Sequence, residues 1–293
     1  MSAFADRAIE AVRRVATPLC VGLDPFPERI PALFGDARAD VRAIEAFFSE
    51  IIALTAGRAA MVKPQLGLFE RYGAEGYAAC QRLCAEARAR GLLVMLDAKR
   101  GDIGTTAEGY AEAALGAPFA ADAVTVNPYM GFDTLEPFLA RAEASNAGVA
   151  VLVRTSNPGA KDVQDLLVDG APLWEAIARG LAPLATRLAG ASGWSGLMAV
   201  AGATWPNEAR RLRALMPTSL FLVPGFGAQG ASAADAVAGF VQGADGRREG
   251  GFVNASRSVL YPAATAATLA EWRAVVTQAI EAAAAELRQV TET

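Results

Sequence analysis

The chain has 293 residues, of which 53% are apolar and 20% charged, with a net charge of −4 and no histidine. Such a length and apolar share suffice for a sizeable core and exclude wholesale disorder. The acidic balance argues against a nucleic-acid or anionic-membrane partner. The missing histidine removes Ser-His and Cys-His nucleophile pairs and most zinc sites, so proton chemistry falls to Lys, Asp, Glu, Tyr, Cys or water.

Residues 1–14 mix acidic and basic side chains and are expected to form a first helix, not a targeting peptide. Apolar runs then recur at residues 19–23, 60–62, 92–96, 123–126, 149–153, 197–200, 220–223 and 251–253. They are continuous rather than alternating, the pattern of parallel strands buried on both faces. Stretches of helical periodicity separate them. Residues 41–55 place Val41, Ile44, Phe47, Phe48, Ile51 and Ile52 on one face, and residues 75–90, 134–144, 173–188, 207–215 and 268–287 behave alike. Eight strand–helix units predict an α/β fold, a single-domain (β/α)8 TIM barrel over residues 1–293, with an N-terminal helix and a closing C-terminal helix. A doubly wound open sheet is the competing architecture. The Gly-rich stretch 243–251 precedes a strand and is expected on the barrel end away from the chemistry. No apolar run reaches the ~18 residues of a membrane span. Three cysteines, Cys20, Cys80 and Cys84, in a chain read as lacking a signal peptide, predict a cytoplasmic protein without disulfides.

In a barrel the reacting groups sit at the C-terminal ends of the strands. Asp97 and Lys99 are two apart at the end of the third run, so strand alternation turns both to the interior. Lys63 ends the neighbouring second run, and Asp102 lies where the following loop is expected to bring it back. Lys63, Asp97, Lys99 and Asp102 thus form an expected line of alternating charge, which must pair if buried. A purely structural ion-pair network is the plain alternative. A lysine between carboxylates stays protonated, which suits it to donate a proton rather than form a Schiff base. A carboxylate fixed beside it opposes a substrate carboxylate. These residues point to decarboxylation or proton transfer at carbon, without metal.

The run Gly225-Phe226-Gly227-Ala228-Gln229-Gly230 follows the seventh strand and is expected to open a helix whose N–H groups face an anion. Arg257 follows the eighth, and the loops after strands seven and eight are the usual phosphate site of such barrels. Ser156, after the fifth run, offers a hydroxyl to a heteroaromatic edge or caps a turn before Pro158. Asp24, after the first, accepts from ribose hydroxyls or serves a turn before Pro25.

The stretch Leu96-Asp97-Ala98-Lys99-Arg100-Gly101-Asp102-Ile103-Gly104-Thr105-Thr106 fits the pattern D-x-K-x-x-D-I-x-x-T. Together with Val21-Gly22-Leu23-Asp24, Val62-Lys63-Pro64, Thr155-Ser156-Asn157-Pro158-Gly159, the 225–230 glycine run and Arg257, in that order, it makes the chain resemble the orotidine 5′-phosphate decarboxylase family, in its longer bacterial branch. The resemblance spans about Leu19 to Tyr261. It implies a barrel that converts orotidine 5′-phosphate to UMP and CO₂ in pyrimidine synthesis, with no metal or organic cofactor. Lys99 is then the proton donor to C6, Asp97 lies against the leaving carboxylate, and Lys63 holds the network and touches the ribose beside Asp24. Ser156 contacts the pyrimidine, while Gln229 and Arg257 hold the phosphate. Asp102 and Thr106 reach into the neighbouring subunit's site of a homodimer. Asn157 stands where a histidine is common in the shorter branch. The rival readings are a metal-dependent sugar-phosphate decarboxylase or aldolase, a Schiff-base aldolase, and a non-catalytic nucleotide-phosphate-binding barrel.

Overall fold

Each of the eight apolar runs becomes a strand in the computed structural model, which describes residues 2–227, 230–264 and 266–292. The strands are β1 (Leu19–Leu23), β2 (Met61–Pro64), β3 (Leu93–Arg100), β4 (Ala123–Val126), β5 (Gly148–Arg154), β6 (Ser195–Ala201), β7 (Ser219–Val223) and β8 (Gly251–Ala255). All pair in parallel with their chain neighbours, and β8 closes on β1. The open-sheet alternative therefore falls. Alternation along the strands divides the apolar residues in two. Val21, Val62, Val94, Val124, Val151 and Val253 belong to a cluster that packs outward against the helices. Cys20, Met61, Met95, Ala150, Met198, Leu220 and Phe252 fill the barrel interior. Continuous apolar runs are what this double burial requires.

The principal helices are α1 (Phe4–Val15), α2 (Val41–Thr55), α3 (Gly73–Ala89), α4 (Gly104–Leu115), α5 (Glu136–Ser145), α6 (Leu173–Leu181), α7 (Pro206–Leu215) and α8 (Leu269–Thr291). Helix α1 seals the N-terminal end of the barrel, where Phe4, Ala8 and Ile9 join the interior cluster. The Gly-rich stretch forms a hairpin at this same end, pairing Val241–Gln242 with Arg248–Glu249. Buried Glu249 accepts hydrogen bonds from Arg13 of α1 at 2.9–3.1 Å and from Trp194 Nε1 at 3.0 Å. Helix α8 begins in a reciprocal cap between Thr268 and Glu271 and buries Trp272, Val276, Ile280 and Leu287. It closes the barrel against α2, with Trp272 packed on Phe34 and Phe47.

One expected helix needs correction. The helix expected over 173–188 ends at Leu181, and residues Ala182–Leu188 continue as a 3-10 helix. Pro183 lacks an N–H and its ring blocks the carbonyl one turn back. The loop after β5 also carries an unexpected ribbon, Leu167–Val168 against Ala171–Pro172. The three cysteines are free and buried. Among the described residues, no helix is long and apolar enough to cross a membrane.

Candidate active site

With α1 sealing one end, the other end of the barrel holds a cavity of about 430 Å³. Its wall is divided by the strands that build it. On the β1–β4 side stand Asp24, Lys63, Gln65, Asp97, Lys99 and Thr125; on the β5–β7 side stand Leu152, Val200 and Leu222. One flank is charged and the other apolar, because the inward positions of the first four strands turn polar at their C-terminal ends.

Asp97 is the centre of the charged flank. Its Oδ2 accepts from Lys63 Nζ at 2.6 Å and from Gln65 Nε2 at 3.0 Å. Its Oδ1 accepts from Lys99 Nζ at 2.5 Å and from Thr125 Oγ1 at 2.9 Å. Asp97 and Lys63 are only 5% and 4% exposed, whereas the Lys99 side chain is 46% exposed and faces the cavity. Burial alone opposes the charged form of both buried groups. For Asp97 the nearby Lys63 and Lys99 ammoniums outweigh burial and hold its pKa well below the usual carboxylate range. For Lys63 the Asp97 and Asp24 carboxylates outweigh burial and hold it above the ordinary lysine value. Both stay ionised at neutral pH. Deeper in the barrel, burial pushes the Cys20 thiol up to about 12, which keeps it neutral and unreactive.

Asp97 and Lys99 do meet, although not by the regular pleat. The β3–β4 register shifts between Leu96 and Arg100, and Lys99 takes a left-handed backbone with φ of 48°. That conformation costs a non-glycine residue roughly 1–2 kcal/mol.

The rim supplies polar groups aimed at the cavity. Asp24 Oδ1 is buried and, among the described residues, has no hydrogen-bond partner. Its loop is held by Tyr261, whose hydroxyl donates to the Asp24 carbonyl at 2.8 Å and accepts from Phe26 N–H at 3.1 Å. Asn254 and Ser256 line the cavity next to β1. Their approach requires Gly22, since a Cβ there would lie 1.9 Å from Ser256 Oγ. Thr155, Ser156, Asn157, Pro224, Gly225, Phe226 and Arg257 complete the lining. Gly225 and Gly227 have φ of 104° and 68°, which lets the loop after β7 turn tightly.

Of the expected site residues, Asp24, Lys63, Asp97, Lys99, Ser156 and Arg257 come together around one cavity. Gln229 lies outside the described residues. Asp102 does not join the line of charge within this chain. Its Oδ1 accepts from the next residue's N–H at 2.8 Å, and neither it nor exposed Thr106 lines the cavity. The chain has left the barrel by then: Gly101 packs against the Asn127 carbonyl and α4 starts at Gly104. The helix expected to open at the glycine run is also corrected. The next helix is a four-residue turn, Ala233–Ala236, whose N-terminus is capped by Ser232 with Asp235 beside it. A carboxylate already occupies that terminus.

Gln65, Thr125, Tyr261, Asn254 and Ser256 were given no role by sequence reasoning. Thr125 and Asn254 carried a signal, as polar residues at inward-facing positions of otherwise apolar strands. Among the described residues, no group of three or more His, Cys, Asp or Glu side chains comes together to hold a metal ion.

A profile described as the orotidine 5′-phosphate decarboxylase / HUMPS family matches residues 17–271. A protein from Rhodopirellula baltica named orotidine 5′-phosphate decarboxylase is 40% identical over 273 residues, covering 89% of each chain. One of the same name from Deinococcus radiodurans is 42% identical over 259 residues, covering 88% of this chain and 89% of its own. The solved structure of Leishmania donovani OMP decarboxylase superposes with a TM-score of 0.79 at 34% identity, covering 100% of both chains. Sequence likeness over nearly the whole barrel and likeness of fold coincide, and the chain belongs to the orotidine 5′-phosphate decarboxylase / HUMPS family.

Proposed function

We propose that this protein converts orotidine 5′-phosphate to UMP and CO₂ in pyrimidine biosynthesis, with Lys99 as proton donor. The observation that carries this is Asp97 held ionised between two ammoniums, one of which, Lys99, faces a cavity of nucleotide size. The substrate carboxylate at C6 sits against Asp97, where two like charges repel. Breaking the C6–carboxylate bond releases neutral CO₂ toward the apolar flank of Leu152, Val200 and Leu222. The electron pair stays at C6, where the Lys99 ammonium stabilises it and then donates a proton. Water returns a proton to Lys99. The charges are fixed before the reaction begins, so little reorganisation is needed at the transition state.

Asp24 Oδ1, buried and unpartnered, is matched to a ribose hydroxyl, with Lys63 beside it. Ser156 serves the pyrimidine edge, and Arg257 with Gln229 serves the phosphate. No metal or organic cofactor is required for these steps. Asp102 and Thr106 act in the neighbouring site of a homodimer. Supporting this, Ile103, Met130 and Tyr129 are exposed apolar residues on the loops after β3 and β4, Tyr129 at 86%. A cytoplasmic location fits three free cysteines and a phosphorylated substrate. We also assign the whole chain, 1–293, to this one domain.

The test is conversion in D₂O. Orotidine 5′-phosphate should give UMP carrying deuterium at C6 by NMR, and Lys99→Ala should abolish this while still binding UMP. Full activity of that variant would remove Lys99 as the donor. Turnover of sugar phosphates with none of the nucleotide would overturn the substrate.

A further inference from the structure

The Lys99 ammonium is held by Asp97, but its backbone sits where the strand ladder fails. Leu96 pairs with Val124, and the next pair is Arg100 with Val126, so β3 spends four residues where β4 spends two. The left-handed Lys99 lies inside this bulge. Its N–H donates to Thr125 Oγ1 at 2.9 Å rather than to a backbone carbonyl. An amide N–H can only donate, so the hydroxyl accepts there and keeps its own proton for Asp97 Oδ1, 2.9 Å away. That same Oδ1 accepts from Lys99 Nζ. The result is a closed circuit: Lys99 main chain to Thr125, Thr125 to Asp97, and Asp97 back to the tip of Lys99.

We infer that Thr125 is a positioning residue for the proton transfer, its hydroxyl replacing the ladder bond lost at the bulge and locking the Lys99 backbone and the Asp97 carboxylate into one frame. This rests on the reading of Lys99 as proton donor. Thr125 is 1% exposed, so water does not substitute for its hydroxyl. Its hydroxyl has two partners, the Lys99 main-chain N–H and the carboxylate oxygen that holds the Lys99 ammonium. The groups assigned to ribose, base and phosphate hang on other strands, so loss of the hydroxyl disturbs the chemical step and not nucleotide binding.

Thr125→Val keeps the shape and removes the hydroxyl, while Thr125→Ser keeps the hydroxyl. The Val variant should lower kcat about 10- to 100-fold with KM changed less than about threefold, because misplacing a reacting group acts on the transition state. The Ser variant should return kcat to within about fivefold of the parent. Independently of turnover, NMR on the full-length protein should show Lys99 amide exchange at least about tenfold faster in the Val variant and unchanged in the Ser variant. A Val variant with parental kcat, or with parental Lys99 amide exchange, overturns the proposal. If the parent protein itself leaves orotidine 5′-phosphate intact, the decarboxylase reading fails, and the exchange measurement still decides whether Thr125 holds Lys99.

Discussion

Asp97→Asn removes one charge and disturbs four donors, two of them ammoniums. The Lys63 partner is buried, and stripping the counter-ion from a buried charge costs about 3–5 kcal/mol. The Lys99 pair is half-exposed and adds at most ~1 kcal/mol. Gln65 keeps an amide oxygen to donate to. A loss of about 3–5 kcal/mol should lower Tm by roughly 5–10 °C at pH 7 in a chain of this size. The pH dependence has a definite sign. Because the native Asp97 pKa is depressed, its contribution is present above the unfolded value of about 3.9 and is lost as pH falls through the lower native one. Lys63 is raised, so its contribution is present below the unfolded value of about 10.4 and is lost only as pH rises through the higher native one. The Tm gap between parent and variant should therefore be level from about pH 5 to pH 10 and shrink below about pH 4. The variant should also lose at least about 10³-fold in kcat, since it removes the repulsion on the substrate carboxylate and loosens Lys99. Thermal melts across pH and initial rates test this. A variant with parental Tm at pH 7, or a gap that widens in acid, would refute the reasoning.

Arg257→Ala should raise KM by about 10-fold or more through lost phosphate contacts, with a smaller change in kcat, and an unchanged KM removes Arg257 from the site. Asp24→Asn should weaken UMP binding by titration calorimetry while Tm falls less than in Asp97→Asn, because among the described residues Oδ1 has no hydrogen-bond partner and only the charge near Lys63 is lost. At the sealed end, Arg213 donates to five carbonyls and lies between the Trp194 and Phe221 rings, with no carboxylate partner among the described residues. Arg213→Met should cost about 3 kcal/mol or more in urea denaturation by orphaning those carbonyls, with kcat of the folded fraction unchanged.

The barrel was legible because double burial writes short apolar runs that recur between stretches of helical periodicity. The charge centre was legible because Asp97 and Lys99 follow such a run directly. Asp102 was misplaced because spacing alone cannot show that the chain turns out of the barrel at Gly101. The break before Pro183 and the Asp169-Gly170 turn, with φ of 51° and 78°, were written in the sequence, as a proline inside a helical pattern and an Asp-Gly hairpin signal. Thr125 was absorbed into its apolar strand, since its role arises only from the β3 bulge opposite. That bulge is a register event between two strands and leaves no local mark.

The central claim is decarboxylation by fixed protein charge. It is tested most directly by following the loss of orotidine 5′-phosphate absorbance with purified protein in excess EDTA, with UMP identified by chromatography. Rapid conversion, undiminished by the chelator, is the predicted result. Folded protein that leaves the nucleotide intact, or that works only after a divalent metal is restored, would contradict it.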